Sequence, residues 1–194
     1  MKNLDKIFNP KSVAIIGASD EKGSVGYGLM KNALEGKAER KVFAVNPNTK
    51  SVLGIKTFNF IKDIKEEVDL AIIAVPAKIV LQIVEHCVEK KVGGIIVVSA
   101  GFSEKGKEGK VLEENIKKIV RKSGIPLIGP NCLGIINPSA KLNASFAPAT
   151  PNAGKISFIS QSGAFIDSII DRNFLENYGF SKIVSYGNEA GLTV

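Results

Sequence analysis

SVAIIGASDEKGSVGYGL, residues Ser12 to Leu29, is the stretch from which the rest of the chain can be read. It opens with a continuous apolar run, Val13 to Ile16, the pattern of a strand buried on both faces. Gly17 breaks the run, a polar loop follows, and Gly23, Gly26 and Gly28 lead into helix-forming residues. Strand, glycine turn and helix N-terminus in that order make an anion site, because unpaired backbone N–H groups and the helix dipole face the loop. A nucleotide-like phosphate is the expected guest.

The same alternation continues outward from this stretch. A helix over Val25 to Leu34, capped at Gly36, is followed by a buried strand, Val42 to Val45, stopped at Asn46-Pro47. A hairpin or loop covers Val52 to Phe58, a short helix runs from Ile61 to Glu66, and Leu70 to Val75 is a third strand, ended by Pro76. Helix Ala77 to Lys90, strand Ile95 to Val98, a polar glycine–lysine loop from Ser103 to Gly109, helix Lys110 to Lys122 and a short strand from Pro126 to Gly129 follow. Repeated βα units predict an α/β fold, a Rossmann-like doubly wound parallel sheet with helices on both faces.

The texture changes after Gly129. Pro130 to Pro151 is rich in Pro, Asn, Ala and Ser, without periodicity, and reads as a functional loop or a domain join. The pattern then restarts with strand Lys155 to Ile159, helix Phe165 to Asn177 and strand Lys182 to Ser185. Phe165, Ile166, Ile169, Ile170 and Phe174 are expected on the inner side of that helix. Two strands and one helix cannot enclose a core of their own. The expected division is residues 1–125 as one domain and residues 126–194 as the first part of a second.

Composition narrows the functional classes. The 194 residues are 44% hydrophobic and 23% charged, as in a globular protein. No apolar run approaches the ~20 residues of a membrane helix, and the first residues are polar, so neither a membrane span nor a signal peptide is expected. Two cysteines, Cys87 and Cys132, suit neither a disulfide framework nor a zinc site, which points to the cytoplasm and to no bound metal. The net charge of +7 favours a polyanionic small ligand. No basic helix is interleaved with aromatics, so nucleic acid is not an expected partner.

The first loop departs from the known nucleotide fingerprints. Gly17 is followed by Ala18-Ser19, so Gly-x-Gly-x-x-Gly fails at its second glycine, and Asn46 stands where a NAD site needs an acid. The P-loop pattern fails too, because Ser24 follows Gly23 with no lysine between. Successive strand ends share small or turn-forming residues: Gly17-Ala18-Ser19, Asn46-Pro47-Asn48, Val75-Pro76-Ala77 and Ser99-Ala100-Gly101. At the carboxyl edge of an open sheet, such residues leave room for a flat adenine or a thin pantetheine arm, with Lys22 and Lys50 in reach of phosphates. Gly129-Pro130-Asn131-Cys132-Leu133-Gly134 adds an amide and a thiol to that edge. No neighbouring base or cation activates Cys132, so it is not expected to be a nucleophile. Ser160-Gln161-Ser162-Gly163-Ala164 forms a second strand-to-helix turn suited to phosphate. It is not a nucleophile elbow, because Ser160 and Ala164 stand where Gly is needed. The single histidine, His86, lies on the polar side of its helix and is expected to be solvated. No residue of the chain is assigned a catalytic role.

In this order, these motifs closely resemble the CoA-binding half of the NDP-forming acyl-CoA synthetases, a family that includes ADP-forming acetate–CoA ligase and the succinyl-CoA synthetase α subunit. The resemblance covers essentially the whole chain, through Tyr186-Gly187-Asn188-Glu189-Ala190. It implies coenzyme A as the cofactor. The loop holding Ser19, Lys22, Gly23, Ser24 and Val25 would take its phosphates, and Pro47 to Lys50 with Val75-Pro76 would flank its nucleotide. Ser99, Ala100 and Gly101 would lie along its pantetheine. The second segment would begin a flavodoxin-like domain whose turn of Ser160, Gln161, Ser162 and Gly163 cradles phosphate or acyl phosphate, near Asn131 and Cys132. In the family a histidine on a later segment carries phosphate to ADP on an ATP-grasp domain. His86 does not match that histidine, and Asp167 stands where the succinyl enzyme has tyrosine, so succinate is disfavoured. The 194 residues are therefore expected to bind CoA but to need a partner chain or further segments for ligase activity. The alternative reading is a non-catalytic CoA sensor or scaffold module.

Overall fold

The opening apolar run forms a strand without an exposed residue, Ser12–Ile16. It belongs to a computed structural model that describes residues 4–176 and 178–193. In chain order the first elements are α1 (Asp5–Phe8), β1 (Ser12–Ile16), α2 (Val25–Glu35), β2 (Lys41–Val45), β3 (Ser51–Val52) and β4 (Ile55–Phe58). They continue with β5 (Leu70–Ile73), α3 (Ala77–Glu89), β6 (Gly94–Val97), α4 (Lys107–Ser123) and β7 (Leu127–Ile128). The last are β8 (Gly134–Asn137), β9 (Leu142–Ser145), β10 (Ala153–Ser160), α5 (Gly163–Glu176) and β11 (Phe180–Ser185).

The first seven strands form one sheet in the order β3-β4-β2-β1-β5-β6-β7. All neighbours are parallel except the β3–β4 hairpin. This is the doubly wound arrangement, and its order reverses between β1 and β5, where Ile16 pairs with Ile73. Alternation along the strands builds a core on each face. Ala14, Ile16, Ile73 and Val97 meet α3 and α4 through Val80, Val84, Ile116 and Val120. Val13, Ile15, Ile72 and Ile96 turn to the other face, against Ile7 of α1 and Leu29 and Met30 of α2. Among the described residues, no helix is long and apolar enough to cross a membrane.

Two local expectations change. The helix read over Ile61 to Glu66 is a single 3₁₀ turn, Ile61–Asp63. The loop read over Ser103 to Gly109 is a 3₁₀ turn at Ser103–Lys105, with α4 already begun at Lys107. Gly109 is packed inside that helix against Phe102.

The segment Pro130 to Pro151 differs most from its sequence reading. It contains β8 and β9, an antiparallel pair buried at every residue. Their polar side chains are paired internally. Asn32 of α2 donates to the carbonyls of Ser145 (2.8 Å) and Ala147 (2.9 Å), and the Ser145 hydroxyl donates to Asn143 Oδ1 at 2.6 Å. Asn137 donates to the carbonyl of Phe8 at 2.9 Å. Buried polar groups held this way cost little, but they erase the apolar alternation that marks a strand.

The hairpin joins β10 and β11 in a second sheet, order β10-β11-β8-β9. That supplies the wall two strands and one helix lacked. Ile166 and Ile170 of α5 pack on Leu133, Ile136, Phe180 and Ile183. Phe165 and Phe174, expected inward, are 55% and 50% exposed. Asn177, the expected end of this helix, lies outside the described residues. Arg40 binds the two sheets together. It is 7% exposed, and its guanidinium donates to the carbonyls of Pro10 (3.4 Å), Gly36 (3.4 Å), Lys141 (2.7 Å) and Ala140 (2.5 Å).

Candidate functional site

The reversal of strand order opens the carboxyl edge of the first sheet, and two cavities lie there, one on each side of the turn Ala74-Val75-Pro76. The larger, about 560 Å³, runs between the two sheets. Ser99, Ala100, Asn131, Cys132, Gly163 and Asp167 are among its walls, with Val25 and Phe146 across from them. The smaller, about 330 Å³, lies between the ends of β1, β2 and β5 and is lined by Gly17, Asn46, Pro47, Phe60, Ile79 and His86, among others. Ala74, Val75 and Pro76 belong to both.

The glycine loop reaches both cavities at its ends. Gly17 lines the smaller and Val25, the first residue of α2, the larger. Between them Ala18 is buried, and its carbonyl accepts a hydrogen bond from Asn46 Nδ2 at 2.8 Å. Ser19 Oγ accepts from the Glu21 amide, and Ser24 caps α2 by accepting from the Tyr27 amide at 3.1 Å. Lys22, Gly23 and Lys50 are exposed and line neither cavity. Gly101 also lies off both walls, its amide donating to Glu104 Oε1 at 2.5 Å. Asn46, a mismatch to the NAD pattern in the sequence, ties the loops after β1 and β2 together.

Of the second turn, only Gly163 reaches the larger cavity. The hydroxyl of Ser160 accepts from the Ser162 amide, and that of Ser162 accepts from the Phe165 amide, capping α5. Gln161 donates to the carbonyl of Gly187 at 3.3 Å. Cys132 is 5% exposed and donates to the carbonyl of Val97 at 3.3 Å. Burial pushes its thiol up to about 12, which fits an unreactive side chain.

Three side chains acquire a place that the sequence reading did not give them. His86 is half-buried rather than fully solvated. It lines the smaller cavity edge-on to Phe60, with ring centroids 6.3 Å apart, and its Nδ1 is buried without a partner. Asp167 presents a buried, unpartnered Oδ1 on the larger cavity, and burial together with Asp171 raises its carboxyl above the usual range. Asn188 joins elements far apart in sequence. Its Nδ2 lies within hydrogen-bond distance of Ser103 Oγ (3.1 Å), Glu104 Oε2 (2.7 Å) and Glu113 Oε2 (2.9 Å), and its Oδ1 accepts from Asn131 Nδ2 at 3.3 Å.

Both carboxylates of this cluster stay ionised. Burial alone would raise Glu113, but hydrogen bonds from Ser103, Asn188 and Lys117 hold it below the usual value. Burial would also raise Glu104, and the amides of Gly101 and Phe102 with Asn188 hold it low in the same way. A carboxylate depressed in the folded state stabilises the fold above its unfolded pKa and loses that contribution as pH falls through its folded pKa. The urea midpoint is therefore expected to drop between about pH 5 and about pH 3, and Asn188→Ala to shrink that drop. A midpoint equally steep in both proteins would remove the cluster as the cause.

Residues 11–138 match the family model of a CoA binding domain, and residues 153–194 that of a succinyl-CoA ligase like flavodoxin domain. The chain is 46% identical over 189 residues to ADP-forming acetate–CoA ligase I of Archaeoglobus fulgidus, covering 97% of this chain and 27% of that protein. It is 45% identical to the α subunit of ADP-forming acetate–CoA ligase II of Pyrococcus furiosus, covering 97% and 41%. The acetyl-coenzyme A synthetase 1 of Ca. Korarchaeum cryptofilum, solved in complex with phosphate and ADP, superposes with a TM-score of 0.93 at 35% identity, covering 100% of this chain and 41% of that one. The chain thus spans well under half the length of these relatives.

Proposed function

This chain belongs to the CoA-binding domain family, in the NDP-forming acyl-CoA synthetases, and from that premise we propose that CoA lies across the Ala74-Val75-Pro76 turn. Its nucleotide end occupies the smaller cavity, flanked by Pro47 to Lys50. Its pantetheine passes over Val75-Pro76 into the larger cavity along Ser99 and Ala100, with Gly101 just beyond that wall. The loop of Ser19, Lys22, Gly23, Ser24 and Val25 serves the phosphates. The observation that carries this reading is the pair of cavities sharing one apolar turn, a shape suited to a flat head on a thin arm.

At the far end of the larger cavity, the turn of Ser160, Gln161, Ser162 and Gly163 receives phosphate or acyl phosphate at the start of α5, close to Asn131 and Cys132. The first sheet acts as the CoA-binding unit and the segment after it as the first part of the unit that faces the acid, a division that falls after β7 rather than at residue 125. The full reaction, acid + CoA + ATP ⇌ acyl-CoA + ADP + phosphate, draws its phosphohistidine and its ATP-grasp domain from outside these 194 residues, on further segments or a partner subunit. Free, buried cysteines suit a cytoplasmic setting. The named relatives are ligases, so the sensor alternative is set aside.

Calorimetric titration of the 194-residue chain with CoA tests the reading. Saturable binding is expected, weakened by added salt and by about tenfold in Lys22→Glu, where a phosphate would meet a reversed charge. Micromolar binding of NAD with no response to CoA would reject it.

A further inference from the structure

The hydrogen bonds around Asn188 settle which way a second amide faces. Ionised Glu104 and Glu113 offer acceptors only, so the Asn188 group between them is its NH₂. Its carbonyl then points the other way, to Asn131, and can only receive the Asn131 NH₂. The remaining polar atom of Asn131 is its Oδ1, on a residue that lines the larger cavity. The backbone holds both residues in place. Asn131 has φ of +58°, its amide donates to the carbonyl of Ser99 at 2.9 Å, and the amide of Asn188 donates to the carbonyl of Pro130 at 2.9 Å. Neighbouring side-chain donors are spent inward, Cys132 on Val97 and Ser99 Oγ on the carbonyl of Ile73 at 3.4 Å. Across the cavity, Asp167 adds another unpartnered oxygen. This part of the wall presents acceptors, which match a neutral N–H donor.

We propose that the Glu104–Glu113–Asn188 cluster fixes the amide of Asn131 so that its carbonyl oxygen accepts a hydrogen bond from an amide N–H of the pantetheine arm, with Asn188 as the positioning residue. The inference rests on the CoA reading and adds to it the polarity of the contact. The anionic end of the ligand belongs instead at the helix starts, where backbone N–H groups are free.

The test compares CoA with analogues in which one or the other pantetheine amide is replaced by an ester, titrated into the 194-residue chain. One analogue is expected to bind about tenfold more weakly than CoA. In Asn131→Leu that ratio is expected to fall to about twofold or less, and in Asn188→Ala to shrink in the same direction, because a freed Asn131 can present either end of its amide. A purely structural role for Asn188 would weaken CoA and analogue together and leave the ratio unchanged. Equal binding of CoA and both analogues by the unaltered chain would overturn the inference without any variant, as would a ratio that survives in Asn131→Leu. Failure of CoA to bind at all would overturn the CoA reading beneath it.

Discussion

Gly17→Ala is expected to destabilise the chain by about 4 kcal/mol and to abolish CoA binding under conditions where the parent is folded. Gly17 has φ of +91°, and a Cβ there would lie 2.1 Å from the carbonyl oxygen of Ala74. Neither partner can retreat. The Gly17 amide donates to Val45 at 3.0 Å and the Ala74 amide to Ile16 at 2.8 Å, so the clash falls between strand ends locked in one sheet. Strain at positive φ contributes about 1–2 kcal/mol, and forcing backbone apart in a close-packed site adds about 1–3. Gly23, in the same loop, supplies the contrast. Its φ is +87°, but nothing lies within 4 Å of an added Cβ. Gly23→Ala is expected to cost about 1 kcal/mol, from backbone strain alone. Urea midpoints of both variants decide the matter, and equal losses would show that the approach to Ala74 is not what demands glycine at position 17.

Arg40→Ala is the second large effect, expected at about 3 kcal/mol in the same measurement. The side chain is buried, and its donors serve carbonyls from the end of α2, from the β8–β9 turn and from Pro10. Truncation strips these acceptors of their partner at a joint between the sheets, where water has poor access. Arg40→Lys is expected to recover less than half of the loss, because a single ammonium cannot reproduce the spread of a guanidinium fork. Full recovery in the lysine variant would mean that charge, rather than geometry, holds the joint.

How far the sequence could be read depended on where each residue's partners lie. The strands β1, β5 and β6 announce themselves because both faces are buried, so the apolar runs are unbroken. The β8–β9 hairpin is silent because Asn137, Asn143 and Ser145 are buried with their hydrogen bonds made elsewhere, and propensity cannot see a partner such as Asn32, 113 residues away from Ser145. The same holds at the candidate site. Gly17, Pro76, Ser99 and Cys132 could be picked out because strand ends carry a local signature. Asn188 could not, since it meets Glu113 across 75 residues. The partial cover of His86 is equally silent in the sequence, because Phe60 and the loop after β2, which flank the helix face opposite Val80 and Val84, are distant along the chain.

The turn Ala74-Val75-Pro76 is a wall common to two cavities, and this has a consequence for how a two-ended molecule is held. Each end can be bound weakly and still be held well when joined, because docking one end confines the other to a small volume and raises its local concentration to about the millimolar range. The halves of such a molecule, offered separately, should compete poorly when each is supplied at the concentration of the joined one. The gain from joining them depends on the width of the turn matching the reach of the link. Bulk added at Val75 or Pro76 would act as a lengthened span, loosening the linked molecule more than either fragment.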